Sequence, residues 1–356
     1  MPAHTYDALL RSLQKGELAP VYYLHGPEDI LKDEAVQAIV DRALDPALRD
    51  FNFDQRSAGQ LDPESVFSLC TTLPMMADRR VVVLRDVEGW KRKPKARAAF
   101  LKYLERPAAE TVVILVQSAP ADRDKETEPD KDLVRGAYAV ACEPLPPERA
   151  RRWLLRRADT LGVSLEDAAA SHLLLATGNN LGTVAAELQK LAALPAGAPL
   201  TAEQVGGLMG IRHGETIYDW RNAVLDGAAG RATTILGPLL DQPGVTGVRL
   251  VTLMGTTLAG VGLARSHYDR GVRGGSLERL VLDRLRQLRL FGLPDWKQES
   301  ANWARWAAAW SASRVRDALR AARDADQALK NTTISDERGI LTDLMLRLTL
   351  TRAEAA

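Results

Sequence analysis

Gly26 and Lys32 stand in the stretch Val21-Tyr-Tyr-Leu-His-Gly26-Pro-Glu-Asp-Ile-Leu31-Lys32-Asp33-Glu-Ala35 at the spacing of a phosphate-binding loop. In that pattern a glycine opens the turn and a lysine ammonium meets the phosphates, so the chemistry suggested is nucleotide binding. Two positions depart from it. Leu31 stands where a second glycine lets backbone N–H groups approach a phosphate with no Cβ in the way. Asp33 stands where a Ser or Thr hydroxyl would hold Mg²⁺, and its carboxylate adds negative charge beside the phosphates. The frame reads as inherited and the nucleotide site as lost, so no cofactor is expected. The plainer alternative is a strand, turn and helix in which Gly26 and Lys32 have no such ancestry.

Other candidates for chemistry are weaker. Arg79-Arg-Val-Val-Val-Leu-Arg85-Asp86 resembles a Walker B strand, but Arg85 precedes Asp86 and Glu88 follows only after Val87, a poor acidic pair for organising Mg²⁺ and water. Lys91-Arg92-Lys93-Pro94-Lys95-Ala-Arg97 is the densest basic run, and it reads either as a phosphate contact or as a solvated approach to a helix. The arginines of residues 149–157 fit the polar face of an amphipathic helix. Trp303, Trp306 and Trp310 share one face of a helix, as core or as a subunit interface. His172 reads as a surface or satisfied core histidine. Cys70 and Cys142 form no C-x-x-C, and the five histidines have no ligand spacing, so no metal site and no catalytic triad or carboxylate pair is expected.

Leu73-Pro74-Met75-Met76 is the exception. A short connection between a helix and a buried strand is normally polar. This one carries three large apolar side chains, with Pro74 stiffening it. They fold under the domain edge, or they form a protruding plug for a partner's pocket, with methionine as the adaptable filler.

The elements that must position these residues follow from periodicity. Residues 21–25 are β-branched and aromatic and read as a buried strand, and the helix after them buries Leu31, Ala35, Val36, Ile39 and Val40. A leading helix carries Tyr6, Leu9, Leu10 and Leu13. Residues 51–54 alternate as a second strand. Asp62 caps a helix begun by Pro63, which is expected to bury Val66, Phe67, Leu69 and Cys70. Strands at 79–86, 111–116 and 137–142, with a crossover helix at 96–104, complete a parallel α/β sheet in residues 1–143. Residues 121–131 read as a surface loop or weak helix. Pro144-Leu-Pro-Pro147 marks a boundary. Four short helices make a small helical domain over 144–212, and longer ones fill 213–356, including a single helix across 296–322.

The whole chain has 356 residues, 46% of them hydrophobic, and a net charge of +1. Its length suits two or three domains, and its charge creates no field for nucleic acid or membrane. With no run approaching about 18 apolar residues and no basic-then-apolar start in Met-Pro-Ala-His, a soluble cytoplasmic protein is expected.

Four motifs in order resemble the delta-subunit family of the bacterial DNA polymerase III clamp loader. Tyr23-Leu-His-Gly26-Pro-Glu28-Asp-Ile-Leu31-Lys-Asp-Glu34-Ala35 is similar to that family's strand and Gly-x-[ED]-x-x-L-x-x-E-A entry. Thr72-Leu73-Pro74-Met75-Met76-Ala-Asp-Arg79-Arg80-Val-Val resembles its clamp-binding segment, with methionines where Leu or Phe is usual. Asn180-Leu181 through Glu187-Leu-Gln-Lys190-Leu191 resembles its second-domain helix, and Ala325-Asp326-Gln-Ala-Leu329-Lys330 its last-domain motif. The resemblance spans roughly residues 6–350 and implies an AAA+-like α/β domain, a lid-like helical domain and a helical collar. It also implies a subunit of the polymerase holoenzyme with no ATPase of its own, which holds the ring-shaped sliding clamp (the beta subunit) through Leu73, Pro74, Met75 and Met76 and favours its opened form. Partners would be the gamma/tau and delta-prime subunits, and DNA through the complex, with Lys91, Arg92 and Lys93 as candidate contacts. A working AAA+ ATPase is the rival that Leu31 and Asp33 oppose. A helical DNA-binding regulator is a second rival, opposed by the neutral charge.

Overall fold

The computed structural model describes residues 3–118, 128–195, 197–210, 214–242, 244–288, 290, 292, 293, 295–331 and 336–350. Its chain forms two compact units, residues 1–144 and 145–356. Residues 211–213, around the expected boundary of a third region, and most of the expected loop at 121–131 lie outside the described residues.

The first unit begins β1 (His4–Thr5), α1 (Tyr6–Gln14), β2 (Val21–His25) and α2 (Asp29–Ala43). It continues through α3 (Arg49–Asn52), β3 (Phe53–Ser57), α4 (Pro63–Thr71), β4 (Arg80–Arg85) and α5 (Pro94–Glu105). It ends with β5 (Thr111–Val116), α6 (Lys131–Gly136) and β6 (Tyr138–Ala141). The six strands form one sheet in the order β1-β6-β2-β5-β4-β3, all pairs parallel. Central strands are apolar on both faces because helices cover both. Val21, Tyr23, Val82, Leu84, Val113 and Leu115 pack with Val66, Cys70, Phe100 and Tyr103 of α4 and α5. The alternate residues Tyr22, Leu24, Val83 and Ile114 are also buried, toward α1 and α2, whose Leu9, Leu31, Ala35 and Ile39 are fully enclosed.

Sequence and structure differ here in three places. The two-residue edge strand β1 gave no periodic signal. Phe51 and Asn52 belong to the short helix α3, so the second expected strand begins only at Phe53. α4 starts as expected, with the Asp62 carboxylate accepting from the Ser65 amide at 2.7 Å, but it buries only Val66 and Cys70. Phe67 is 58% exposed and Leu69 half-buried. A helix of nine residues against a sheet has room for one narrow buried stripe at i and i+4, and Phe67 falls beside it.

Among its described residues the second unit is helical apart from one isolated bridge between Leu165 and Leu200: α7 (Pro147–Thr160), α8 (Asp167–Thr177), α9 (Leu181–Ala192), α10 (Ala202–Met209), α11 (Ile217–Leu225) and α12 (Ala229–Leu240). Then come α13 (Gly247–Asp269), α14 (Gly275–Leu288), α15 (Trp296–Ala309), α16 (Ala312–Asn331) and α17 (Glu337–Leu350). The helix expected across 296–322 is two helices. Trp310 is extended (φ −107°, ψ 134°), and the Ser311 hydroxyl accepts from the Arg314 amide, capping α16. Trp303, Trp306 and Trp310 are core residues. Gly260 of α13 faces the Trp303 ring so closely that any Cβ would overlap it. Arg221 and Glu299, both wholly buried, are joined through both carboxylate oxygens at 2.6 and 3.0 Å, and the Trp303 indole donates to Glu299. α13 also revises the membrane expectation: its 23 residues are long and apolar enough to span a bilayer. Its Leu250, Val251, Met254, Leu258 and Val261, however, lie in the core of this unit.

Candidate functional site

The loop carrying Gly26 and Lys32 sits at the carboxyl end of β2, between β5 and β6, where strand order reverses and ligands bind in open α/β sheets. Gly26 has φ +110°, and a Cβ there would lie 2.6 Å from the Cys142 carbonyl oxygen, so only glycine fits. The loop is tied to β6: the Glu28 amide donates to the Cys142 carbonyl (3.1 Å) and the Cys142 amide to the His25 carbonyl (2.7 Å). Lys32 is fully buried. Its Nζ donates to the Gly26 carbonyl (2.8 Å) and the Gln117 carbonyl (2.6 Å) and pairs with Asp29 at 2.7 Å. Those three partners take the three hydrogens of the ammonium. Leu31 points into the core, and Asp33 pairs with Arg85 at 2.8 Å.

The end of β4 is similarly occupied. Asp86 has left-handed backbone and accepts from the Ser118 hydroxyl (2.7 Å) and the Ser57 hydroxyl (3.0 Å), while Glu88 accepts from the Ser118 amide (3.1 Å). Burial pushes the Cys142 thiol up to about 12 and lowers His25, which the nearby Lys32 ammonium lowers further. A thiol raised this far is not primed as a nucleophile. Among the described residues, no cluster of His, Cys, Asp or Glu could hold a metal ion.

The loop between α4 and β4 is different in kind. Leu73 is 72%, Met75 56% and Met76 87% exposed. Among the described residues nine large hydrophobic side chains are exposed, and five of them, these three with Phe51 and Phe67, lie within residues 51–76. The backbone beneath the tips is held. Asn52, fully buried, accepts from the Met75 amide (2.6 Å) and donates to the Met75 carbonyl (2.9 Å) and the Leu48 carbonyl (3.0 Å). Met76 has φ +55°.

Lys91 and Arg92 end a turn of 3-10 helix and, with Lys93, precede α5 with their side chains exposed. Arg97 is not part of that exposed set: its guanidinium bridges Asp130 and Asp132. His172 is buried in α8.

Residues 22–143, which include both the Gly26 loop and the exposed one, match the family described as DNA polymerase III, delta subunit. Residues 147–205 match a family described as a middle domain. The Bacillus subtilis protein named DNA polymerase III subunit delta is 27% identical over 240 residues, 65% of this chain and 69% of its own. The Escherichia coli protein of that name is 26% identical over 306 residues, 79% of this chain and 86% of its own. The chain resembles the DNA polymerase III delta subunit. The solved structure of the Bacillus subtilis DNA clamp loader delta protein covers 97% of this chain and 100% of its own, with a TM-score of 0.54 at 22% identity, a likeness of fold.

Sequence reasoning singled out Gly26, Lys32 and residues 73–76, and it missed Asn52, Phe51 and Phe67. Asn52 carried no signal, because its partner Met75 lies 23 positions away. Phe67 stood in an apolar run whose period does not separate the buried stripe from its flank.

Proposed function

We propose that this protein is a clamp-loader subunit that grips the DNA polymerase III sliding clamp through Leu73, Pro74, Met75 and Met76 and favours the opened ring, without binding or hydrolysing ATP. The observation that carries this reading is the exposed apolar loop on a fixed backbone. Three large apolar side chains held in water gain only when a partner covers them. Each such side chain contributes roughly 1.5–3 kcal/mol on full burial, and anchors at the centre of an interface often exceed about 2 kcal/mol.

The Lys32 ammonium, with its hydrogens engaged by Gly26, Gln117 and Asp29, supports the absence of nucleotide chemistry. So does the Arg85–Asp33 pair, which stands where a metal-bound hydroxyl would be needed. Opening of the ring would then be driven by binding energy here and by ATP in the gamma/tau subunits. Residues 144–212 would act as a lid-like domain. Residues 213–356 would form the collar that joins gamma/tau and delta-prime. Lys91, Arg92 and Lys93 would touch the DNA that the complex holds in the cytoplasm.

Calorimetric titration with the sliding clamp tests the reading. Met75→Ala with Met76→Ala should weaken binding by about 100-fold or more while leaving the thermal midpoint unchanged. A double variant that binds normally would overturn the docking role, and one that also melts far lower would make the loop a piece of core.

A further inference from the structure

We infer that Asn52 is a positioning residue that holds the docking loop in its bound shape before any partner arrives; this rests on reading residues 73–76 as the clamp-docking element. One side-chain amide takes both main-chain polar groups of Met75, as a neighbouring strand would in a ladder. Its second N–H is anchored on the Leu48 carbonyl, so both donors and the oxygen are engaged. The amide is completely enclosed, in a place where an apolar side chain would pack at no polar cost.

The tips cannot hold the loop themselves, because Leu73, Met75 and Met76 are mostly in water. Pro74 fixes its own φ and biases Leu73 to an extended backbone, which sets the approach to Met75 but leaves Met76 free. Met76 nevertheless adopts φ +55°, a conformation that a bulky residue keeps only where its surroundings over-determine it. The clasp on Met75 is the fixed point immediately before that residue. Released from it, Met76 returns to negative φ and its side chain leaves the place it holds here. Holding one or two residues in advance spares their ordering on association, which corresponds to about 10-fold in affinity or somewhat more.

The test is a mutant cycle on the full chain, with the sliding clamp as titrant. Asn52→Ala should weaken binding about 10-fold. In the Met75→Ala, Met76→Ala background it should have little further effect, since the two side chains that the clasp positions are gone. A purely structural role predicts the same loss in both backgrounds, and that result overturns the inference, as does wild-type affinity for Asn52→Ala alone. If Met75→Ala with Met76→Ala leaves affinity unchanged, the docking reading itself fails. Hydrogen exchange on the unmutated protein covers the case in which Asn52→Ala does not fold. The Met75 amide should be protected in the free protein to the degree of sheet amides, and exchange at the rate of an open loop would overturn the latch.

Discussion

A lysine enclosed to its ammonium is tolerable only where every hydrogen finds an acceptor, and Lys32 meets that condition inside its own fold. Removing it leaves the Gly26 and Gln117 carbonyls without their donor. A buried polar group stripped of its partner costs about 1–3 kcal/mol, so Lys32→Ala should lower stability by about 2 kcal/mol or more. Millimolar Mg-ATP should shift the thermal midpoint of neither protein, since a ligand stabilises only what it binds. An ATP-dependent rise in the wild type that is lost in Lys32→Ala would restore the nucleotide reading. At this scale the sequence was legible where neighbours are close in the chain: Leu31 and Asp33 were visibly wrong for a phosphate loop. It was silent on where the Lys32 ammonium goes, because the end of β5 that receives it is 85 positions away.

Elements were legible where the periodic signal was long and pure. β2, β4 and β5 appear almost as their apolar runs predict, because a parallel strand covered on both faces has no polar side to blur. Short or many-sided apolar stretches were not. α4 has Val66, Phe67, Leu69 and Cys70 in five positions, and only tertiary contact with the sheet and α5 selects Val66 and Cys70. The break between α15 and α16 was marked by Ser311, a capping residue hidden in an otherwise helical run. The burial assignment on α4 has a direct check by thermal or denaturant unfolding. Val66→Ala should cost about 2 kcal/mol, whereas Phe67→Ala should change stability by no more than about 0.5 kcal/mol despite removing a larger side chain. The reverse order would mean that α4 is rotated about its axis relative to this description.

At the scale of the molecule, the loop, its Asn52 clasp and the sheet that carries both lie inside residues 1–144, a unit with its own core. A fragment of those residues should therefore fold and bind the sliding clamp as the full chain does, and residues 145–356 alone should not. Clamp capture by the helical fragment, or a folded first unit without affinity, would refute this division of labour. The loop at Gly26 and Lys32 has a consequence of another kind. Lys32 is held by contacts within the fold, and the closeness of the Cys142 carbonyl requires Gly26. Stability alone is reason enough for both residues. Restoring a glycine at position 31 or a hydroxyl at 33, one change at a time, gains no ligand while the ammonium stays engaged, and freeing the ammonium first weakens the protein. The residues that most resemble an ATPase loop are thus those whose replacement the fold tolerates least, so a gain of phosphate binding here would begin with a loss of stability.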